Sequence, residues 1–129
     1  MRVLRGMRAD DRDGLPMVGP SGRYLAVRPN VDVPVDAGEY VNPETEGMSV
    51  VPPPVENMDT HRRPPEFGGT GKDPVFEIET DELPEGLAYR LDPANPEGHG
   101  FIEPARRMRF EEYLAAVQAT RALWRRAEP

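Results

Sequence analysis

The sequence contains no cysteine, which excludes a disulfide scaffold and any thiolate metal site. It has only two histidines, His61 and His99, and neither has carboxylates at ligand spacing, so nothing reads as a transition-metal site. No apolar run approaches the ~18–20 residues of a membrane helix. The segment Met1-Arg2-Val3-Leu4-Arg5-Gly6-Met7 lacks the apolar core of a secretory signal. The expectation is a soluble chain made in the cytoplasm, with no membrane partner and with any export left to machinery that reads no cleavable signal. Positive charge is in deficit, 16 Lys+Arg against 23 Asp+Glu for a net −7. That balance disfavours bulk nucleic-acid binding, which depends on neutralising phosphates.

Apolar residues make up 37% of the 129 positions, while 16 Pro and 12 Gly exceed a fifth of the chain. Such a composition leans toward loops and disorder. Four Phe, four Tyr, one Trp and several regular apolar patterns pull the other way, toward one compact, loop-rich domain over residues 1–129. Alternation predicts strands at residues 1–7, at Arg23–Val27, at Val75–Thr80 with Phe76 and Ile78 on one face, and at Leu87–Leu91. Short extended pieces fall at 31–35, 39–41, 48–51 and 100–103, broken by Pro and Gly. One or two helical turns fit 55–61. Phe110, Tyr113, Leu114, Val117 and Trp124, with Thr120 among them, form a stripe of helical period that predicts a helix from about Phe110 to Arg125. Glu111 and Glu112 at its start and Arg121, Arg125 and Arg126 near its end suit the helix dipole, although Arg109 occupies the cap position. The fold class is α+β, with broken, mostly antiparallel sheets and one C-terminal helix.

The chemically suggestive segments narrow quickly. Asp10-Asp11-Arg12-Asp13-Gly14 begins like a calcium loop, but Gly22 stands where the twelfth-position glutamate is required. Gly68-Gly69-Thr70-Gly71-Lys72 fails the P-loop pattern at Glu66 and Asp73 and the dinucleotide fingerprint at Pro74. It reads as a tight structural turn, or as a loop whose backbone approaches a ligand. Ser21 and Ser49 sit in no nucleophile elbow. On a strand, His99, Phe101 and Glu103 face one way. His99 and Glu103 would lie roughly 13 Å apart, too far to serve one atom but able to line one elongated cleft. Arg5, Arg23 and the pair Arg62-Arg63 are the anion-binding candidates, and Arg5 is the best preorganised of them on its strand.

The order of segments resembles a known group. Leu4-Arg5 comes first, Gly68-Gly69-Thr70 precedes Val75-Phe76, and Leu83-Pro84-Glu85-Gly86-Leu87 follows. Gly98-His99-Gly100-Phe101-Ile102-Glu103-Pro104-Ala105 and Met108 then lead to a helix with Tyr113, Leu114, Thr120 and Trp124. This order is similar to the Tse-type, ADP-ribosyltransferase-like effector toxins associated with bacterial type VI secretion, and to small actinobacterial-style relatives. The match is carried by the last 60–65 residues.

The resemblance implies a compact ADP-ribosyltransferase-like domain that uses NAD to modify a target. It implies Glu103 and His99 as catalytic residues, the carboxylate stabilising positive charge on the ribose. Arg5, Tyr24 and Ser49 are its implied NAD-binding residues, and a cognate immunity or antitoxin protein its implied partner. Phe101 stands where many transferases carry a Gln or Glu two residues before the catalytic Glu, which counts against arginine-directed transfer. The acceptor stays open. So do an NAD glycohydrolase, a partner-binding module that keeps the fold without the chemistry, and RNA 2′-phosphotransfer, which the net charge opposes.

Overall fold

In the computed structural model, which describes residues 1–129, alternating apolar residues do form the strands. Strand β1 (Arg2–Gly6) runs antiparallel to β4 (Val75–Glu79), with Val3 opposite Ile78 and Arg5 opposite Phe76. That register sends Val3, Phe76 and Ile78 into the main core. Leu4 and Val75, on the other face, pack with Met58 in a smaller cluster.

The second sheet is built from β3 (Met48–Val50), β5 (Leu87–Leu91) and β6 (Gly100–Pro104), in the order β3-β6-β5 and antiparallel throughout. A ribbon of β2 (Tyr40–Val41) and β7 (Met108–Arg109) leads into α1 (Phe110–Ala119). The class is the expected α+β. No helix is long and apolar enough to cross a membrane.

Tyr113 explains why the helix seats where it does. Fully buried, its hydroxyl donates to the Ile102 carbonyl at 2.5 Å and accepts from the Met48 N–H at 3.0 Å. The helix is thereby bolted to the seam between β3 and β6. Gly47 makes room for this bolt, since a Cβ there would stand 2.9 Å from the hydroxyl and 2.7 Å from the Ile102 carbonyl oxygen.

Two expected elements differ. The helix stops at Ala119 rather than reaching Arg125. Thr120 donates its hydroxyl to the Val117 carbonyl at 2.6 Å and accepts from the Trp124 indole N–H at 2.9 Å. The chain then tightens into a 3₁₀ turn over Arg121–Leu123. Strand β8 (Arg125–Arg126) follows, and the open edge of β4 supplies its backbone partners in the order β1-β4-β8. Trp124 still reaches the core, so the apolar stripe is satisfied by a path other than the helix.

Residues 23–27, expected as a strand, make only an isolated bridge between Leu25 and Val18. Leu25, Ala26 and Val27 are buried in succession rather than in alternation, and the Gly22 and Tyr24 carbonyls are turned toward Arg5. The extended piece at 31–35 likewise reduces to a single bridge, Pro29 to Val33.

Candidate active site

The site begins where the two sheets touch and part. Leu4 of β1 and Val51, just past β3, exchange backbone hydrogen bonds at 2.8 and 2.9 Å. Beyond that pair no backbone bond joins β1 to β3, and the Arg5 side chain fills the gap. Its guanidinium donates to the Ser49 carbonyl at 2.7 Å, to the Tyr24 carbonyl at 3.0 Å and to the Gly22 carbonyl at 3.1 Å. A backbone ladder is thus replaced by one arginine that ties three segments together. Burial pushes the Arg5 guanidinium down to about 10, with the nearby Arg62 charge adding to the effect, so it stays charged at neutral pH. Its Nε–H is buried and has no partner.

The parting opens a cleft with two lobes. One, of about 370 Å³, is lined by Arg5, Arg28 and Arg62 and by Asp32, Asp59 and Asp92, together with Ser49 and His99 among others. The other, of about 450 Å³, is lined by Val31, Asp32, Glu46, Ser49, His99 and Phe101 among others. Asp32, Ser49, Asp92 and His99 border both lobes and mark their junction. Each volume lies within the range of roughly 300–1,000 Å³ common for small-molecule sites.

The floor of the second lobe follows from strand register. Ser49 pairs with Phe101, and Phe101 with Arg90, so these three side chains share one face of the β3-β6-β5 sheet. Phe101 lies outside the main core. Its ring meets the His99 imidazole edge-on, with centroids 5.0 Å apart, and the Arg90 guanidinium sits 5.4 Å from its centre. At the end of the β5–β6 hairpin, the Asp92 carboxylate lies 2.8 Å from Nδ1 of His99 and accepts the Ala94 N–H at 2.9 Å. Those two bonds, the backbone one foremost, hold Asp92 below the usual carboxylate range. Nδ1 of His99 is thereby engaged. Arg28 pairs with Asp32, whereas Arg62 pairs with no carboxylate and gives one hydrogen bond to the Gly22 carbonyl at 3.3 Å.

The structure brings Arg5, Ser49 and His99 to this cleft and holds Tyr24 and Glu103 away from it. Tyr24 contributes its carbonyl to Arg5, while its ring packs over Gly19, where a Cβ would stand 2.4 Å from the ring. Glu103 is 4% exposed and lines neither lobe. Its carboxylate accepts from Arg90 Nε at 2.6 Å and from the Glu44 N–H at 2.9 Å. Arg90 in turn donates to the Thr45 carbonyl at 2.7 Å, so the pair fastens the 44–45 loop beside the second lobe.

Among the other anion-binding candidates, Arg23 is paired with Asp73, and Arg63 donates to the Met58 and Phe67 carbonyls, leaving Arg62 alone at the cleft. The Gly68–Lys72 segment is a structural turn. A Cβ at Gly69 would stand 2.1 Å from the Arg63 carbonyl oxygen, and one at Gly71 2.6 Å from that of His61. Asp92, Arg28, Asp32 and Arg90 went unnoticed as site residues. For Asp92 a signal existed, because pairing Leu91 with Gly100 places residue 92 across from residue 99.

No curated protein and no solved structure matches the chain significantly. The family model described as Tse2 ADP-ribosyltransferase toxin does match, over residues 7–126, which takes in β2 through β8 and the whole cleft apart from its β1 wall. With nearly its full length so matched, the chain belongs to the Tse2 ADP-ribosyltransferase toxin family.

Proposed function

We propose that this chain is an NAD-dependent toxin that binds NAD in the two-lobed cleft and transfers its ADP-ribose to a target in the cytoplasm of an intoxicated cell. The observation that carries this reading is the Asp92–His99 pair at the junction of a lobe lined by three arginines with a second lobe beside it. The residues suit NAD in size and charge. Arg28 and Arg62 are positioned to hold the diphosphate. When bound, NAD supplies an ADP-ribose group carried on a cationic nicotinamide leaving group.

The chain's own contributions follow from its contacts. Arg5 sets the separation of β1 and β3 and presents Ser49. The Ser49 hydroxyl and the Phe101 ring form the surface at the junction. Asp92 fixes His99 with Nδ1–H donated to the carboxylate, which leaves the Nε2 lone pair to take a proton from the acceptor. Glu103 acts through Arg90 and the 44–45 loop rather than by touching substrate. Toxicity on a cytoplasmic target would require a cognate immunity protein in the producing cell, and delivery by a type VI secretion apparatus fits the family.

The test is incubation of the purified chain with NAD labelled on its adenylate half, with and without bacterial lysate. Nicotinamide release together with label on a macromolecule is the expected result. Absence of both nicotinamide release and calorimetric NAD binding would overturn the reading.

A further inference from the structure

The adjacent arginines Arg62 and Arg63 face different surroundings. Arg62 borders the first lobe, where its guanidinium makes one hydrogen bond, to the Gly22 carbonyl at 3.3 Å, and no ion pair. Arg28 reaches the same lobe with its charge already matched by Asp32, and Arg5 is taken up by three carbonyls. Arg62 is therefore the cleft cation with donors left for a ligand. Arg63 borders neither lobe. Its Nε donates to the Met58 carbonyl at 3.0 Å, its Nη1 to the Phe67 carbonyl at 2.8 Å and its Nη2 to the Thr60 hydroxyl at 3.3 Å. Those bonds close the chain around the 3₁₀ turn Thr60–Arg62. The glycine-rich segment holds the same turn. The Thr70 N–H donates to the Thr60 carbonyl at 3.0 Å and the Gly71 N–H to the Arg63 carbonyl at 2.6 Å. Such an approach requires glycine, since a Cβ at Gly69 would stand 2.5 Å from the Thr60 carbonyl oxygen, and one at Gly71 3.0 Å from the Arg62 carbonyl carbon. Strand β1 comes nearly as close, because a Cβ at Gly6 would stand 3.1 Å from the Arg62 carbonyl oxygen.

We infer that Arg63 and the glycine-rich turn are positioning residues for Arg62, fixing its backbone so that the guanidinium is presented to the diphosphate of NAD. This rests on the proposal that NAD occupies the cleft with its diphosphate at the arginines. A long exposed side chain on a loose loop surrenders both backbone and rotamer freedom when a ligand arrests it, and that loss subtracts from affinity. At Arg62 the backbone share is lost on folding, before NAD arrives. The Gly68–Lys72 segment matches no nucleotide-binding loop and borders neither lobe, yet it serves the nucleotide by holding the turn that carries Arg62. Arg63 does the same with a planar fork that spans three oxygens, a reach that lysine lacks.

The experiment is a double-mutant cycle on the full chain, with Arg62→Ala, Arg63→Ala and the double variant, read by calorimetric Kd for NAD and for ADP and by nicotinamide release. Circular dichroism confirms that each variant is folded. Arg62→Ala and Arg63→Ala are each expected to weaken NAD about tenfold, the scale of one charge-assisted phosphate contact. ADP, which carries the diphosphate without nicotinamide, should lose the same factor. The loss is expected in KM, with kcat within about twofold of wild type, because His99 stands on a separate hairpin. Added to Arg62→Ala, Arg63→Ala is expected to change Kd by less than about twofold, since the group it positions is already gone. If Arg63→Ala does not fold, Arg63→Lys carries the same cycle with a loss of about threefold. A folded Arg63 variant that binds NAD and ADP like wild type, or one whose loss persists in full beside Arg62→Ala, overturns the inference while the NAD reading stands. Absence of both NAD binding and nicotinamide release in the wild type removes the NAD reading itself, and the inference with it.

Discussion

Asp92 and His99 face each other across the mouth of the β5–β6 hairpin, carboxylate to Nδ1 at 2.8 Å, at the junction of the two lobes. The pairing fixes which imidazole nitrogen carries the proton. Replacing Asp92 by Asn offers an amide donor to Nδ1, which favours the opposite tautomer and puts a proton on Nε2. His99→Ala is expected to lower transfer at least about 100-fold, within the usual contribution of a general base. Asp92→Asn is expected to fall by a comparable factor in kcat, with KM for NAD little changed. Loss of KM alone, with kcat intact, would show that the pair only shapes the cleft.

Glu103 separates a catalytic carboxylate from one that positions its neighbours. Its side chain is buried against Arg90 and the Glu44 N–H. A glutamine keeps an acceptor for one of these but cannot pair the arginine fully. Glu103→Gln is expected to retain more than about a tenth of the activity and Glu103→Ala much less, since alanine leaves Arg90 and the loop amide without partners. Equal, near-complete loss in both variants would instead identify the carboxylate as touching the reacting atoms. Arg90→Ala, which strands a buried carboxylate, is expected to cost about 3 kcal/mol in denaturant unfolding.

Arg5 spans three carbonyls with a planar fork, and a lysine reaches fewer of them. Arg5→Lys is expected to keep the fold, to lose about 1–3 kcal/mol of stability, and to weaken NAD binding about tenfold as β1 and β3 shift. Calorimetry on the folded variant checks it. Undiminished affinity would mean that the arginine braces the cleft without setting its width.

How much of this was legible in the sequence depended on whether a residue's environment is local. Phe76 with Ile78, and Leu87 with Tyr89, announce β4 and β5 by alternation, Phe101 and Glu103 fall in β6 as expected, and His99, one residue before it, packs edge-on against Phe101. Trp124 satisfies a helical stripe and a post-helical turn equally well, so periodicity could not place the helix end. That was decided by the Thr120 hydroxyl and by a free edge on β4 some 50 residues away in the chain. At the site, Arg5 and His99 stood out by type and position. Glu103 also stood out, but alternation gives the face a side chain takes and not whether that stretch of the face is covered. Its cover comes from Arg90 and from a loop near residue 44, which are brought to it by tertiary pairing alone.

Tyr113 tests the bolt between helix and sheet. Burial pushes its phenol well above the ordinary value, so it stays protonated and remains a donor to Ile102. Tyr113→Phe preserves the ring's packing while leaving the Met48 N–H and the Ile102 carbonyl without their shared partner. The expected cost is about 1–3 kcal/mol in denaturant unfolding, together with faster amide exchange at Met48. A variant as stable as the wild type would mean that the two backbone groups pair with each other once the hydroxyl is gone.

Arg121 carries a pH signature. It donates to Asp13 at 2.8 Å, to Asp10 at 3.2 Å and to the Pro16 carbonyl at 2.8 Å, tying the end of the helical segment to the turn after β1. Asp13 is held below its ordinary value chiefly by Arg121, and Asp10 chiefly by its hydrogen bonds with Arg12, with Arg121 adding to the effect. A carboxylate depressed on folding adds stability above the unfolded aspartate value, about 3.9, and loses it as pH falls through the folded value. The stability gap between wild type and Arg121→Ala is therefore expected to be widest near neutral pH and to narrow progressively below about pH 4. The Asp13 side chain is 42% exposed, so added salt should shrink its share of the gap. The bond to the Pro16 carbonyl does not titrate and leaves a residual difference in acid. Urea titrations of both proteins across that range check this, and a gap that does not change with pH would assign the Arg121 contribution to packing and the Pro16 bond alone.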